Sequence, residues 1–448
     1  MTDLAVEPQH KPLKGIVPVP SDKSITHRAL LLAAIAEGES AVVVSSMGDD
    51  NRSTLAAMVA LGATATEREN ELRIGGVGLE GLRAASGAID CGNSGTTMRL
   101  LAGVLAAQRF QAVLVGDASL TKRPMARIAN PLRQRGARIE GELVRNKPGE
   151  ITAPLVIGPL PVPNVLSAIS FDSPIPSAQV KSALLLSGLY ADGSTVVSEP
   201  VVSRDHTERM LDALGVPVQR AGSIVSLDGG AFSGKLPAFS LTVPGDLSAA
   251  AFLAAAASLV PGSEVGVRGV GANPTRSGFV DAIRMMGANV ELSPETVQLG
   301  EPVGLLRTTH AELRGVTIAG ELVARSIDEI PILAALAARA HGVTTIADAG
   351  ELRVKESDRI ACMAAVLRAF GVEVEERRDG LVVEGKPDRP LTAADVDSEG
   401  DHRIAMSAAV LGLFANGTSR VRNVDAIATS FPRFAGTMRA LGANIRAV

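Results

Sequence analysis

The sequence predicts an α/β protein with two similar domains, each built from three related units. The chain has 448 residues, more than a single hydrophobic core normally organises. A helix-like segment, a Gly-Ala or Gly-Val step and a strand-like start recur six times along it. The motif Val-Pro-Ser-Asp-x-Ser at Val19 returns at Val243 as Val-Pro-Gly-Asp-x-Ser, 224 residues later and therefore half a chain length away.

The six glycine steps define the repeat. They are 71 to 84 residues apart, which is too long for common solenoid repeats but long enough for βαβ modules with additional strands. Glycine at these positions suits a left-handed residue that ends a helix. The pattern leaves open whether the helices pack inside the sheets or outside them. The glycines are Gly62, Gly136, Gly215, Gly287, Gly371 and Gly442.

The repeated Val-Pro motifs mark where we expect the chain to cross between domains, near residues 20 and 244. One domain is predicted to contain residues 21–244. The other is predicted to contain residues 1–20 and 245–448, because the strand around residues 15–19 would complete it. We expect ligand in the cleft between the domains, where small-molecule sites are favoured.

Composition argues against several classes of partner. The net charge is 44 − 48 = −4, and ten Phe, one Tyr and no Trp offer few platforms for stacking bases, so neither nucleic acid nor an anionic membrane is expected. The two cysteines make neither a disulfide framework nor a metal-binding set. The first residues contain no apolar signal segment, and the longest apolar stretch, 247–260, has 14 residues, too few to span a bilayer. A cytoplasmic protein is expected.

The segment after the first Val-Pro motif carries the most specific signal. It predicts a helix whose first turn presents Lys23 and Ser24, with Arg28 one turn further on the face of Ser24. Free backbone N–H groups and these side chains together suit an anion. Leu247 replaces Lys23 in the second copy, so the scaffold is duplicated and the charge is not. The alternative is an ordinary amphipathic helix with a solvated polar start.

Other polar motifs stand at predicted helix starts, and each alone also fits a turn, a cap or a solvated loop. We expect Ser203 or Asp205 to cap the helix that follows Arg204. Together the motifs favour anionic small molecules and acid–base chemistry without metal or cofactor, since no metal-ligand set, P-loop or dinucleotide fingerprint occurs. The cations are Lys23, Arg28, Arg123, Arg204, Lys355, Arg359 and Arg403, with Asp328 and Glu356 as candidate acid and base.

Eight motifs, in order over essentially the whole chain, resemble those of the 5-enolpyruvylshikimate-3-phosphate synthase family. The resemblance implies two domains of three βαβαββ units, each an inside-out α/β barrel. It implies transfer of the enolpyruvyl group of phosphoenolpyruvate to the 5-hydroxyl of shikimate 3-phosphate. We expect the protein to be a monomer. The motifs are D-K-S-I-T-H-R, G-N-S-G-T-T-M-R, K-R-P-M, S-A-Q-V-K-S, R-D-H-T-E, I-D-E-I-P, L-R-V-K-E-S-D-R and D-H-R-I-A-M-S.

The same resemblance implies residue roles. Asp328 would accept the 5-hydroxyl proton, and Glu356, assisted by Lys23, would handle the proton added to the phosphoenolpyruvate methylene. Shikimate 3-phosphate would be held by Lys23, Ser24, Arg28, Ser177, Gln179, Arg204, Asp328 and Lys355. Phosphoenolpyruvate would be held by Lys23, Gly95, Arg123, Gln179, Arg359 and Arg403.

The chain departs from the family pattern at some positions. Thr429 stands where many members have Lys, Ala178 replaces a second serine, and Leu100 replaces a common proline. The R-D-H-T-E and A-T-S-F-P motifs resemble the glyphosate-tolerant branch, whereas Gly95 is the small residue of the sensitive branch. We expect glyphosate to compete with phosphoenolpyruvate.

Two alternatives fit less well. The sister enolpyruvyl transferases that act on UDP-N-acetylglucosamine have Asn after the first Lys and a reactive Cys, but here Ser24 follows Lys23 and no Cys lies between Cys91 and Cys362. A non-catalytic anion-binding scaffold would need no acidic groups in the I-D-E-I-P and V-K-E-S motifs, where this chain has both.

Overall fold

The computed structural model describes residues 2–448, and these form two compact units. The first unit contains Ser21–Val243 together with Val297–Glu301. The second unit contains the residues up to Pro20, Pro244–Thr296 and Pro302–Val448. No helix in the described range has both the length and the hydropathy of a membrane-spanning segment.

Helices and strands alternate along the chain. Three short 3₁₀ helices in the described part of the chain cover Leu120–Lys122, Gly350–Val354 and Val424–Thr429. The α-helices are α1 (Lys23–Ala34), α2 (Asp49–Ala60), α3 (Gly95–Leu105), α4 (Ala126–Gln134), α5 (Ala178–Gly188), α6 (His206–Ala213), α7 (Leu247–Leu259), α8 (Gly278–Met285), α9 (Glu321–Ser326), α10 (Ile330–Ala337), α11 (Arg359–Ala369), α12 (His402–Gly412) and α13 (Phe434–Ala440).

The strands are β1 (Leu4–Val6), β2 (Lys14–Val17), β3 (Glu37–Val43), β4 (Thr64–Arg68), β5 (Glu71–Val77), β6 (Ile89–Asp90), β7 (Ala112–Val115), β8 (Arg138–Leu143), β9 (Ile151–Gly158), β10 (Leu166–Asp172), β11 (Ala191–Ser198), β12 (Val218–Ala221), β13 (Ile224–Asp228), β14 (Ser240–Thr242), β15 (Glu264–Gly271), β16 (Asn289–Gln298), β17 (Glu301–Thr309), β18 (Thr317–Ile318), β19 (Gly342–Ile346), β20 (Glu373–Arg377), β21 (Gly380–Gly385), β22 (Asp395–Asp397), β23 (Ser419–Arg422) and β24 (Ile445–Ala447).

Residues 2–448 form six four-stranded sheets, three for each unit. The first unit has the orders β14-β3-β5-β4, β6-β7-β9-β8 and β10-β11-β13-β12. The second has β2-β15-β17-β16, β18-β19-β21-β20 and β22-β23-β1-β24. Every sheet pairs its first two strands in parallel and places antiparallel neighbours beside them; in one, Ile89 is opposite Leu114 in parallel and Ala112 is opposite Ile157 antiparallel. The predicted three-fold repeat in each of two similar α/β units is confirmed.

The glycine steps behave as predicted. All six stand two positions after the last residue of a helix and have φ between +78° and +113°, the left-handed conformation that only glycine adopts at little cost. Each one turns the chain from a helix toward the next strand, as Gly136 does between α4 and β8.

Burial settles whether helices or sheets lie inside. In α7 every residue from Leu247 to Ser258 is buried, as expected for a helix that is apolar on all sides. Strand β9 instead alternates, burying Ile151, Ala153, Leu155 and Ile157 and leaving the residues between them partly exposed. A sheet with one face on the core and one toward solvent gives this pattern. The helices therefore form the core of each unit, and the sheets cover it.

Candidate active site

In the first unit, polar and charged side chains gather at the start of α1. Asp22 caps the helix by accepting a hydrogen bond from the Ile25 backbone N–H at 2.8 Å. The next residue, Lys23, donates from Nζ to Asp50 Oδ2 at 2.8 Å, and its side chain keeps 22% of its surface exposed. The Ser24 carbonyl accepts a hydrogen bond from the guanidinium one turn later. Lys23 is thus oriented by a carboxylate that the sequence analysis did not identify.

Arg28 is a buried cation with fixed hydrogen bonds. Its Nε donates to Thr207 Oγ1 at 2.7 Å, and another guanidinium nitrogen donates to Ser182 Oγ at 2.8 Å. Burial lowers the pKa of Arg28 to about 10, although Glu208 and Asp22 oppose that shift. The guanidinium therefore stays protonated at neutral pH and holds a fixed direction.

His27 joins α1 to α2 and α3 through a chain of hydrogen bonds. Its Nδ1 lies 2.6 Å from Thr54 Oγ1, which lies 2.6 Å from Thr97 Oγ1, which donates to Ser94 Oγ at 2.8 Å. Because the Thr97 proton is used on an acceptor, Thr54 donates to Thr97 and Nδ1–H donates to Thr54. Burial lowers the pKa of His27 to about 3, so the neutral ring is the form present at neutral pH.

The Gly/Ser/Thr loop leads into α3, with Ser94 as its cap. Arg99, one turn into this helix, donates to Gln179 Oε1 at 2.7 Å, and Gln179 Nε2 donates to Thr96 Oγ1 at 2.9 Å. A Cβ on Gly95 would lie 2.9 Å from a terminal nitrogen of Arg99 and 3.4 Å from one of Arg123. Gly95 therefore leaves room beside two guanidinium groups. The prediction of site residues missed Arg99, although the G-N-S-G-T-T-M-R motif contains it.

Arg123 follows the 3₁₀ turn at Leu120–Lys122 and precedes α4. Its guanidinium donates to Asn93 Oδ1 at 2.6 Å and to Ser119 Oγ at 3.2 Å. These neutral acceptors orient the cation without cancelling its charge. A cation near a helix N-terminus opposes the macrodipole unless an anion joins it, so the position favours an anionic ligand.

Ser177 and Arg204 stand before α5 and α6. Ser177 caps α5, and its backbone N–H donates to Glu199 Oε1 at 2.8 Å. Lys181 in α5 is buried and lies 2.8 Å from Glu199 and 2.9 Å from Glu208. Burial alone would lower the pKa of Lys181, but the two carboxylates outweigh burial and raise it. Arg204 lies two positions before α6 and is half-buried.

The second unit gathers three cations around Asp328. Lys355 Nζ lies 3.8 Å and an Arg359 guanidinium nitrogen 3.5 Å from Asp328 Oδ1. Arg403 donates to the Asp328 backbone carbonyl at 2.9 Å. The Asp328 side chain remains 13% exposed, so one carboxylate is held by positive charge and is still accessible.

Arg359 is the centre of this cluster and is 1% exposed. It donates from Nε to Asp401 Oδ2 at 2.7 Å and pairs with Glu356 Oε2 at 2.7 Å. Burial alone would lower the pKa of Arg359, but Asp401 and Glu356 raise it well above its usual value. Burial alone would raise the pKa of Asp401, but Arg359 and His402 hold it below its usual value. Both partners are therefore charged near neutral pH.

The second Val-Pro motif, in which Leu247 stands in the position of Lys23, has a different set of charged contacts. Asp246 caps α7 through the Ser248 N–H at 2.8 Å, as Asp22 caps α1. Arg276 pairs with Glu329 at 2.9 Å and with Asp246 at 3.5 Å, and the Ser248 hydroxyl contacts both Arg276 and Glu329. The second copy thus encloses its own ion pair. Glu329 is structural, whereas its neighbour Asp328 faces the cations described above.

The predicted site residues fall in both units. Thr429, which replaces the lysine of many relatives, donates its hydroxyl to the Ala426 carbonyl at 2.7 Å. The predicted residues of the first unit are Lys23, Ser24, Arg28, Gly95, Arg123, Ser177, Gln179 and Arg204. Those of the second are Asp328, Lys355, Glu356, Arg359 and Arg403. In the second unit the buried Arg359 lies beside the partly exposed Asp328. In the first unit Asp50 orients the partly exposed Lys23.

Comparisons with known proteins agree on one family. Residues 8–438 match the model of EPSP synthase, also named 3-phosphoshikimate 1-carboxyvinyltransferase. The 3-phosphoshikimate 1-carboxyvinyltransferase of Geobacter sulfurreducens is 48% identical over 434 residues, covering 97% of this chain and 98% of that protein. The enzyme of that name from Gloeobacter violaceus is 50% identical over 424 residues, with coverage of 94% and 95%.

Solved structures give the same result. An EPSP synthase structure from Acinetobacter baumannii superposes with a TM-score of 0.87 at 40% sequence identity, covering 100% of both chains. The match extends over the units that carry both groups of site residues. The chain therefore belongs to the EPSP synthase family, the 3-phosphoshikimate 1-carboxyvinyltransferases.

Proposed function

We propose that the chain transfers the enolpyruvyl group of phosphoenolpyruvate to the 5-hydroxyl of shikimate 3-phosphate and releases phosphate. Family membership supports the reaction. The observation that carries the residue roles is the environment of Asp328, whose partly exposed carboxylate lies 3.8 Å from Lys355 and 3.5 Å from Arg359. Fixed charges of this kind stabilise anionic substrates and the charge that develops during reaction.

The binding roles divide by substrate. The proposed ligands of shikimate 3-phosphate are Lys23, Ser24, Arg28, Ser177, Gln179, Arg204, Asp328 and Lys355. Those of phosphoenolpyruvate are Lys23, Gly95, Arg123, Gln179, Arg359 and Arg403. In support, Arg123 is oriented by uncharged acceptors, and Gln179 is fixed by Arg99 and Thr96.

The chemistry proceeds by addition and elimination. Glu356, assisted by Lys23, delivers a proton to the methylene carbon of phosphoenolpyruvate, which leaves positive character at C2. The 5-hydroxyl oxygen bonds to C2 while its proton passes to Asp328, and a tetrahedral intermediate results. The Glu356 carboxylate then takes a proton back from the new methyl group, which restores the double bond as the C2–O bond to phosphate breaks, and the proton held by Asp328 leaves with the phosphate. The cations hold both substrates in register and stabilise the departing phosphate.

Phosphate release by the purified chain tests the reaction, with each substrate omitted in turn. We expect release only when both substrates are present. Asp328→Asn and Glu356→Gln should each lower kcat by about a hundredfold or more, the usual contribution of a positioned acid or base. Asp388→Asn, at an exposed carboxylate, is the matched control and should retain full activity. Release with UDP-N-acetylglucosamine in place of shikimate 3-phosphate would overturn the assignment.

Glyphosate is proposed to compete with phosphoenolpyruvate. The space at Gly95, which a methyl group would fill against Arg99 and Arg123, supports this proposal. Raising the phosphoenolpyruvate concentration should relieve inhibition at a fixed concentration of shikimate 3-phosphate. Inhibition that does not change with phosphoenolpyruvate concentration would exclude competition.

The chain is also proposed to act as a monomer in the cytoplasm. Cys91 and Cys362 are both free thiols, as is usual in a reducing compartment. Light scattering at working concentration should give the mass of one chain, and cell fractionation should recover the protein with cytoplasmic markers. A stable dimer, or recovery with membranes, would contradict the corresponding part of the proposal.

A further inference from the structure

Helix α6 begins two residues after Arg204, and its first turn is fixed by contacts with α1 and α5. Thr207 accepts a hydrogen bond from Arg28 at 2.7 Å and donates to Ser182 at 2.7 Å. Glu208 lies 2.9 Å from Lys181. Of the two residues expected to cap α6, Asp205 stands at the N-cap position, but it makes no side-chain cap hydrogen bond and pairs with Arg209 at 2.9 Å. The start of α6 therefore depends on these tertiary contacts.

A further contact to α6 comes from a residue 95 positions later in the chain. His206 Nδ1 lies 2.8 Å from Glu301 Oε1, and both side chains are 1% exposed. Since the carboxylate accepts, the ring carries its proton on Nδ1. The other ring nitrogen, Nε2, has no hydrogen-bond partner within residues 2–448. Glu301 thus supplies the hydrogen bond that sets the orientation of the His206 ring.

The turn that delivers Glu301 fits closely against α6. It joins β16 to β17, and its residues 297–301 belong to the first unit. Leu299 packs against the apolar core of that unit. Gly300 has φ of +80°, and a Cβ there would lie 2.5 Å from the Arg209 carbonyl oxygen, so glycine is required both by conformation and by space. The close fit of this turn against α6 therefore restrains the position of Glu301.

We propose that Glu301 is a positioning residue for the shikimate 3-phosphate site, acting through His206 on the first turn of α6. This inference rests on the proposed function, which gives Arg204 and Arg28 to that substrate. His206 lies two positions after Arg204 and directly before Thr207, which accepts a hydrogen bond from Arg28. A contact that holds His206 therefore restrains the backbone beside both Arg204 and Thr207. The negative charge of Glu301 also favours the protonated form of Arg28.

Isothermal titration with shikimate 3-phosphate, together with steady-state kinetics, tests the proposal on the full chain. Glu301→Gln keeps the shape of the side chain and removes its charge. We expect it to weaken shikimate 3-phosphate binding by about five- to tenfold, because the amide oxygen leaves His206 a neutral hydrogen bond in place of a charge-assisted one, while the KM for phosphoenolpyruvate changes by less than about twofold. Glu301→Asp, which keeps the carboxylate, should recover part of the affinity. Glu295→Gln, at an exposed carboxylate of the same hairpin, is the control and should bind as the wild type does.

A double-mutant cycle separates positioning from general destabilisation. If Glu301 acts through His206, then Glu301→Gln should add almost nothing to the effect of His206→Asn on shikimate 3-phosphate affinity. Additive effects, or equal weakening of both substrates, would overturn the proposal, as would unchanged affinity in Glu301→Gln. A wild-type chain that neither binds shikimate 3-phosphate nor releases phosphate would instead refute the proposed function and this inference with it.

Discussion

The buried histidine in α1 gives the sharpest prediction about stability. His27 is 1% exposed, and burial lowers its pKa from 6.5 to about 3. Between these values the unfolded chain binds one more proton than the folded chain at this residue. Stability therefore decreases as the pH falls below 6.5, and the loss is complete only below the folded pKa.

The size of the effect follows from the two pKa values. Each pH unit between them is worth about 1.4 kcal/mol. Lowering the pH from about 6.5 to about 4.5 should remove about 2 kcal/mol of unfolding free energy through His27 alone. The His27→Asn variant has no group that titrates there, and its amide can still donate to Thr54. It should therefore lose about 2 kcal/mol less than the wild type over the same interval.

Urea unfolding at several pH values, followed by circular dichroism, measures this difference. The quantity of interest is the pH slope of the unfolding free energy, which does not depend on any stability the variant has lost at neutral pH. His10→Asn, at an exposed histidine, is the control and should keep the wild-type slope. Equal slopes in the wild type and His27→Asn would refute the argument from burial.

Two further predictions concern the cations of the proposed site. Gly95→Ala should raise the KM for phosphoenolpyruvate about five- to tenfold with little loss of stability. The new methyl group would lie 2.9 Å from Arg99 and 3.4 Å from Arg123. It would force a guanidinium group out of its preferred rotamer, at a cost of about 1 kcal/mol. Asp401→Asn should lower the unfolding free energy by about 3 kcal/mol and abolish most activity, because it removes the fully buried carboxylate that lies 2.7 Å from Arg359. Only the partly exposed Glu356 and Asp328 would then balance the charge of Arg359.

Each of these two predictions can be contradicted by a specific measurement. Steady-state kinetics that show an unchanged KM for Gly95→Ala would mean that the arginines can move aside freely. For Asp401→Asn, urea unfolding should be compared with Glu373→Gln, which breaks an exposed ion pair with Lys386 and should change stability by less than about 1 kcal/mol. Similar values for both variants would mean that burial adds nothing to the Asp401–Arg359 pair.

The sequence was sufficient where a signal is local. The glycine steps and the placement of Lys23 beside a helix start both depend on residues within a few positions of one another. The repetition of these signals, six times for the glycines and twice for the Val-Pro motif, was enough to predict two similar units of three repeats. The charged residues at helix starts were likewise visible as motifs.

Other features depend on residues far apart in the chain. Asp50 as the partner of Lys23, and Asp401 as the partner of Arg359, could not be predicted from sequence, because no spacing rule links positions 27 or 42 residues apart. Ser203 and Asp205 were both candidate caps for α6; Asp205 occupies the N-cap position, but its carboxylate pairs with Arg209, one turn later, and makes no side-chain cap hydrogen bond. In each case a long-range or competing contact determined which of several reasonable partners was used.

The sequence by itself determined the repeat, the helix boundaries marked by glycine and the residue types available for binding anions. Only the tertiary structure decided that the helices lie inside the sheets, that Glu329 is enclosed with Arg276 while Asp328 faces the cations, and that Glu301 meets His206. The physical reason is that local patterns fix the backbone conformation of short segments, whereas burial and ion pairing depend on which segments pack together.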